Sequence, residues 1–294
     1  MPKSNKKSAP KKAIKPGAKY IKQKNLVKNA LATTPLNLLR FEDNYFDIMR
    51  NKWILEKYIL ERGLHSTDLL ENTLSAFEQA IKAKHPTTIS VQLTADEQVI
   101  CYKESTLARL NGNGYIANSK FSDIQNLTYV GTDNEHVTTL DTVLDLVKGK
   151  IELVIEIINP NSNQHLLEEK VLSLLDQYMT TNNLNESVAI MSVNPYVLEW
   201  FASRAPHLPR ILKSGKFKTK YYGDLKTRVL RKLKLHTIAQ ADYIAYAADH
   251  LPNRYIAKTN PVGVLAYHVH NQNEYKKVAK YCDNIIYTDF EPQI

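Results

Sequence analysis

From about residue 53 onward, short runs rich in apolar and β-branched residues alternate with runs spaced like helices. That alternation constrains the fold more than any other feature, because neighbouring parallel strands need a long crossover between them, usually a helix. The strand candidates are "WILEKYIL" (53–60), "TTISVQLT" (87–94), "QVICYK" (98–103), "IELVIEII" (151–158), "SVAIMS" (187–192), "RIL" (210–212), "DYIAYA" (242–247), "VGVLAYHV" (262–269) and "NIIY" (284–287). Helices are expected near 71–84, 139–148, 165–180, 195–205, 222–238, 252–259 and 272–281. Nine strands over about 240 residues suit a (β/α)8 barrel of the α/β class with one hairpin insertion. A doubly wound open sheet is the alternative, but no Gly-rich phosphate turn supports it. The division expected is a tail over 1–25, a helical extension over 26–52 packing under the barrel, and the barrel itself over 53–294.

Charge separates the tail from the rest. Residues 1–25 hold nine lysines and no acid, so the tail accounts for the net charge of +9, while the remainder carries 30 basic and 30 acidic residues. A segment so poor in apolar residues cannot offset the entropy of ordering and is expected to be disordered. Such an arm could meet RNA or an anionic membrane through screened electrostatics, or remain solvated without a partner. The N-terminus lacks the apolar stretch of a secretory signal, and no run is long enough to span a membrane. Cys101 and Cys282 fit no metal or disulfide spacing and read as small core residues in a reducing, cytoplasmic setting. The stretch 210–234 has ten Lys/Arg against one Asp. Within it Leu225, Val229, Leu230 and Leu233 fall at helical spacing, which reads as an apolar stripe with a solvated cationic face.

In a barrel, chemistry sits at the C-terminal ends of the strands. In strand order those positions are Glu61 and Arg62, then Thr88 and Ser90, Lys103 and Glu104, Glu156 and Ile158, Ser192, and Tyr267. His268 and His270 alternate on one strand and so project to one face, a possible metal pair; a structural or surface role, facing the helix layer or solvent, is the expectation. "NGNG" (111–114) is a loop, not a phosphate cradle, since no Gly-Lys-Ser/Thr follows it. His65 reads as a turn or rim group.

These segments, in order, resemble the glycerophosphodiester phosphodiesterase family. "ERGLHSTDLLENTLSAFEQAI" is similar to its His-Arg-Gly … Pro-Glu-Asn-Thr/Ser-Leu-x-Ala-Phe opening. "ISVQLTADEQVICYKESTLARLNGNG" is similar to its Glu-Leu-Asp … Asp-Gly … His-Asp-x-x-Leu-x-Arg segment, and "LVIEIINP" to its Ile-Glu-Ile-Lys strand. The resemblance covers about residues 52–288 and implies a barrel of the phospholipase C-like phosphodiesterase type. It implies metal-assisted hydrolysis of glycerophosphodiesters, with three carboxylates holding a divalent cation, two histidines as acid and base, and an Arg and a Lys clamping the phosphate.

Position by position, the chemistry departs from that pattern. The histidine positions are Glu61 and Lys103. The Glu-x-Asp metal ligands are Thr88 and Ser90, and the clamp lysine is Ile158. Pro before the Glu-Asn pair is Leu70, and the Gly of the Asp-Gly turn is Glu97. Arg62, Glu71, Asn72 and Glu156 remain, and Glu104 stands for an Asp. A lysine is a poor base near neutral pH, and Glu156 alone is a poor cage for Ca²⁺ or Mg²⁺. The expectation is a catalytically inactive barrel without a cofactor and with a binding or scaffold role. Either Glu61, Lys103 and Glu156 form a self-paired cluster, or Arg62 and Lys103 bind a phosphate-containing small molecule. An active, atypical enzyme is the alternative, with Glu61 as base and Glu71, Glu104 and Glu156 gathering a shifted Ca²⁺ or Mg²⁺.

Overall fold

The computed structural model describes residues 51–65, 69–159, 165–215, 217 and 219–293. The lysine-rich tail, and all but the last two residues of the expected helical extension, lie outside them. Eight parallel strands close into a barrel: β1 (Ile59–Leu60), β2 (Thr87–Leu93), β5 (Leu153–Ile157), β6 (Val188–Ser192), β7 (Arg210–Ser214), β8 (Tyr243–Ala247), β9 (Gly263–Val269) and β10 (Asn284–Tyr287). Pairing of β1 with both β10 and β2 closes the ring. The insertion adds β3 (Val99–Cys101) antiparallel to β2, and β4 (Thr138–Thr139) antiparallel to β3.

Alternation along the strands divides the core in two. Val154, Ala189, Met191, Ile211, Ala245, Leu265, Tyr267 and Ile286 fill the barrel. Ile89, Leu153, Ile155, Ile190, Leu212, Ile244 and Ile285 face outward. The crossover helices pack on these outward residues: α2 (Leu74–Ala83), α4 (Leu140–Val147), α5 (Leu166–Thr181) and α6 (Pro195–Arg204). A short α3 (Phe121–Ile124) lies in the insertion, and its Ile124 joins a satellite core with Tyr102, Leu107 and Tyr129. Thr73 caps α2 by accepting from Ala76 N, and Asn194 caps α6 ahead of Pro195.

The run 53–60 is not one strand. Trp53–Glu56 forms a short helix, α1, and only Ile59–Leu60 pairs in the sheet. Trp53, Ile54 and Leu55 are all buried at the closed end of the barrel, where a helical turn can plug the ring as a two-faced strand could not. The carbonyls of Ile54 and Lys57 accept from Asn284 Nδ2, at 2.7 and 2.6 Å. Leu55 lies so close to Gly263 that a Cβ there would come within 2.6 Å of its Cδ2.

Two expected helices also differ. The run 252–259 holds only one 3₁₀ turn, Ile256–Lys258. The run 222–238 divides into α7 (Thr219–Arg231), which is kinked at Gly223 (φ +70°), and α8 (His236–Ala239). Its apolar stripe is incomplete: Leu230 and Leu233 are buried, but Leu225 is 76% exposed. The last helix, α9 (Gln272–Val278), follows β9 with Asn271 as its cap. Cys101 is buried in the outer core and Cys282 packs at its margin, both as free thiols. No helix among the described residues is long and apolar enough to cross a membrane.

Candidate functional site

The residues read at the strand ends do converge on the barrel mouth, and their pairing follows the sheet. β1 ends in Glu61 and Arg62, which turn sharply through positive φ at Arg62 (+60°) and Gly63 (+88°). Gly63 is required there, since a Cβ would meet Ala76 Cβ at 2.6 Å. Thr88 accepts from Arg62 N at 2.8 Å, so this hydroxyl stabilises the turn. Asn72 bonds both Ser90 N (3.1 Å) and Ser90 O (2.9 Å), fastening the loop before α2 onto β2.

Two ionic groups fill most of the mouth. In the first, Arg62 donates through Nη1 to Glu61 Oε1 and through Nε to Glu71 Oε2, both at 2.6 Å. Arg109 donates to Glu71 Oε1 (2.8 Å) and Glu104 Oε1 (3.0 Å). In the second, Lys213 donates to Glu156 Oε1 at 2.6 Å and Ser90 Oγ donates to Glu156 Oε2 at 2.9 Å. The Lys213 ammonium also lies 4.8 Å from the ring centre of Tyr267. Both side chains of the Lys213–Glu156 pair are almost fully buried.

Electrostatics follow this geometry. Burial alone would push the Glu156 carboxyl up, but Lys213, Arg62 and the hydrogen bonds outweigh it and hold it down. Burial is likewise outweighed at Glu61 by Arg62, His268 and Lys213, and at Glu71, where Arg62 and Lys103 bring the carboxyl to about 2. Lys103 is pulled the other way: burial lowers its pKa, with Arg62 and Lys213 adding to the effect against Glu71 and Glu61. Among the described residues Lys103 has no hydrogen-bond or salt-bridge partner, so it joins neither ionic group. A self-paired cluster therefore exists, but its internal cation is Lys213 rather than Lys103.

The structure assigns His268 differently from the strand alternation. Ala266 pairs with Ile285 and Val269 with Tyr287, so β9 has one residue more than β10 over this interval. The extra residue is His268, at φ +58°. This bulge reverses the phase of the strand, sending Val269 to the outer core and placing His268 Nε2 3.0 Å from Glu61 Oε1. His270 remains exposed beside Asp289. Glu61 Oε2 is buried without a partner. His65 lies at the rim against Thr288 Oγ1 at 2.9 Å.

Lys213 and Arg109 are mouth residues to which the strand-end pattern does not point. Lys213 had a local signal, being the inward position of "RILKS", where alternation puts Ile211 and residue 213 on one face. The surrounding basic run concealed it. Arg109 appeared only as the last residue of a motif.

Beside the ionic groups a cavity of about 540 Å³ opens between the ends of β5 and β6 and helix α7. Lys103, Glu156, Ile158, Asn194, Val229 and Leu230 are among its lining residues.

A closed parallel barrel with its ionisable groups gathered at the C-terminal mouth has the architecture of a (β/α)8 barrel, with its candidate site on the face where such barrels carry theirs. Residues 62–291 match the glycerophosphoryl diester phosphodiesterase family, and the chain belongs to that family. Its sequence is 31% identical over 134 residues to YhdW of Bacillus subtilis, which is named for the glycerophosphodiester phosphodiesterases. That alignment covers 43% of this chain and 55% of YhdW, so the match spans about half the length of this curated relative. Among solved structures, an Oleispira antarctica phosphodiesterase in complex with the product sn-glycerol-3-phosphate superposes with a TM-score of 0.66 at 15% identity, covering 81% of this chain and 95% of that one. The glycerophosphodiester phosphodiesterase of Thermotoga maritima gives 0.57 at 19% identity, covering 79% and 94%.

The family implies a divalent cation, and the residues present do not fit one. Both oxygens of Glu156 are engaged, and an ammonium lies 2.6 Å from one of them. The two neighbouring ligand positions carry the hydroxyls of Thr88 and Ser90, one accepting from Arg62 N and the other donating to Glu156. A hard dication seeks six or more oxygens, several of them anionic. Among the described residues no three His, Cys, Asp or Glu side chains gather as such a cage.

Proposed function

We propose that this chain keeps the phosphodiesterase barrel without its hydrolytic chemistry and uses the mouth to hold a phosphate-bearing small molecule. The observation that carries this reading is the Lys213–Glu156–Ser90 knot, which puts an ammonium on the one retained metal-ligand carboxylate. A fixed monocation there removes the need for a metal and with it the Lewis acid that would polarise a phosphodiester. The Oleispira relative supports the ligand class, since it is held with sn-glycerol-3-phosphate, and Lys103 supplies a cation with no carboxylate bonded to it in the described mouth. The test is hydrolysis of glycerophosphocholine and glycerophosphoglycerol with Ca²⁺, Mg²⁺ or Mn²⁺, paired with calorimetric titration of glycerol 3-phosphate. We expect binding without turnover. Metal-dependent turnover abolished by Glu156→Gln would sink the reading.

A second reading retains hydrolysis with relocated groups. It is favoured by Glu61, whose Oε1 is held by Arg62 and His268 while Oε2 is buried without a partner. Its second oxygen is open to accept a proton as a general base would, although, against its burial, Arg62 and His268 hold the carboxyl low and weaken it in that role. Turnover lost in both Glu61→Gln and His268→Asn would establish this version over the first.

A further inference from the structure

We infer that the cavity beside Lys103 takes an amphipathic phosphate ester, its anionic head on Lys103 and its aliphatic body along the wall formed by Ile158, Val193, Val229, Leu230 and Leu235. The phosphate rests on the binding reading above; the aliphatic body is the addition. Three observations lead to it.

The first is charge. Arg62, Arg109 and Lys213 each donate to a carboxylate, whereas Lys103 has no bonded partner among the described residues. The one carboxylate lining the cavity, Glu156, is already neutralised by Lys213, and Lys226 adds a second lysine to the lining. An incoming anion therefore meets an uncompensated ammonium and little repulsion.

The second is the replacement at residue 158. The resemblance puts a phosphate-clamping lysine there, and this chain has Ile158 in the cavity wall. Exchange of a cation for a branched aliphatic removes one contact to a polar headgroup and supplies one to a hydrocarbon chain.

The third is shape. A volume of about 540 Å³ exceeds what a glycerol-sized ligand fills and lies within the range for larger small-molecule sites. Val193, Pro195, Val229, Leu230 and Leu235 all line this space and give it a large apolar share, beside polar residues that include Lys226 and Asn194. Each methylene buried there adds affinity.

The experiment is isothermal titration of the full chain with octyl phosphate below its micellar concentration, glycerol 3-phosphate, and octyl glucoside. Octyl phosphate is expected to bind at least tenfold more tightly than either of the others. Lys103→Met should weaken both phosphates at least tenfold. Val229→Asn should weaken octyl phosphate alone. Ile158→Lys should reverse the order, strengthening glycerol 3-phosphate and weakening octyl phosphate; it tests the site even if the Lys103 variant folds poorly. Equal affinity for the two phosphates would overturn this inference and leave the binding reading intact. Binding of neither would overturn both. Tight octyl phosphate binding unchanged in all three variants would place it elsewhere on the chain and also overturn the inference.

Discussion

The two ends of the barrel are both filled, by opposite chemistries. At the closed end Trp53, Ile54 and Leu55 plug the ring with hydrocarbon, and Leu55 packs against Gly263. At the mouth Lys213, Glu156, Arg62, Glu61 and Glu71 fill it with charge. An apolar plug depends on volume and tolerates changes of pH. An ionic plug depends on every partner being present, because each charge is stable in the interior only while the other is there.

The largest break in that comparison is expected from Lys213→Ala. It leaves Glu156 buried and uncompensated, and should cost about 3–5 kcal/mol in urea unfolding at neutral pH. Replacing both partners, as Lys213→Met with Glu156→Gln, should bring the loss back to within about 1 kcal/mol; a double variant as unstable as the single would show that the pair does not act as a unit. Leu55→Ala at the closed end should cost about 3 kcal/mol through the cavity it leaves, and by the same amount at pH 7 and pH 4. The Lys213→Ala loss should shrink over that interval as Glu156 takes up a proton.

A smaller effect separates the ends by pH in the unmodified chain. Glu71 sits at about 2 when folded against an ordinary 4.5, so its stabilisation is complete above about 4.5 and disappears as the pH falls towards 2. Glu61 and Glu156 shift in the same direction. Acid unfolding followed by circular dichroism should therefore begin below pH 4.5, with a contribution from Glu71 on the order of 2–3 kcal/mol. The smallest change tests an exposed turn outside both plugs. Glu97 holds the left-handed conformation at φ +62° and makes an exposed ion pair with Lys170. Glu97→Gly should stabilise the chain by less than about 1 kcal/mol, as relief of the backbone slightly outweighs the lost pair.

The fold was legible because it rests on repetition. Short continuous apolar runs such as "LVIEI" and period-3.6 runs such as 165–180 recur in alternation along the chain, and each agrees with the next. The run at 53–60 escaped this reading because Trp53, Ile54 and Leu55 are buried on every side, and a wholly apolar run does not distinguish a strand from a helical turn. The site was partly legible. Glu61, Arg62, Lys103, Glu104 and Glu156 are legible from their places at or near strand ends, and Thr88 and Ser90 from their places within the second strand. His268 is not, because a single bulge reverses which side chains face inward, and bulges leave little local signature.

The sequence by itself determined the barrel, its family and which residues stand at the strand ends, since these depend on residue identity at fixed positions along a regular pattern. Only the tertiary structure decided which charge answers which. Lys213 and Glu156 are 57 residues apart and meet because β5, β6 and β7 are successive neighbours in a closed sheet. Lys103, in an inserted hairpin, is left facing a cavity instead. Pairing depends on distances across the ring, and those exist only once it has closed.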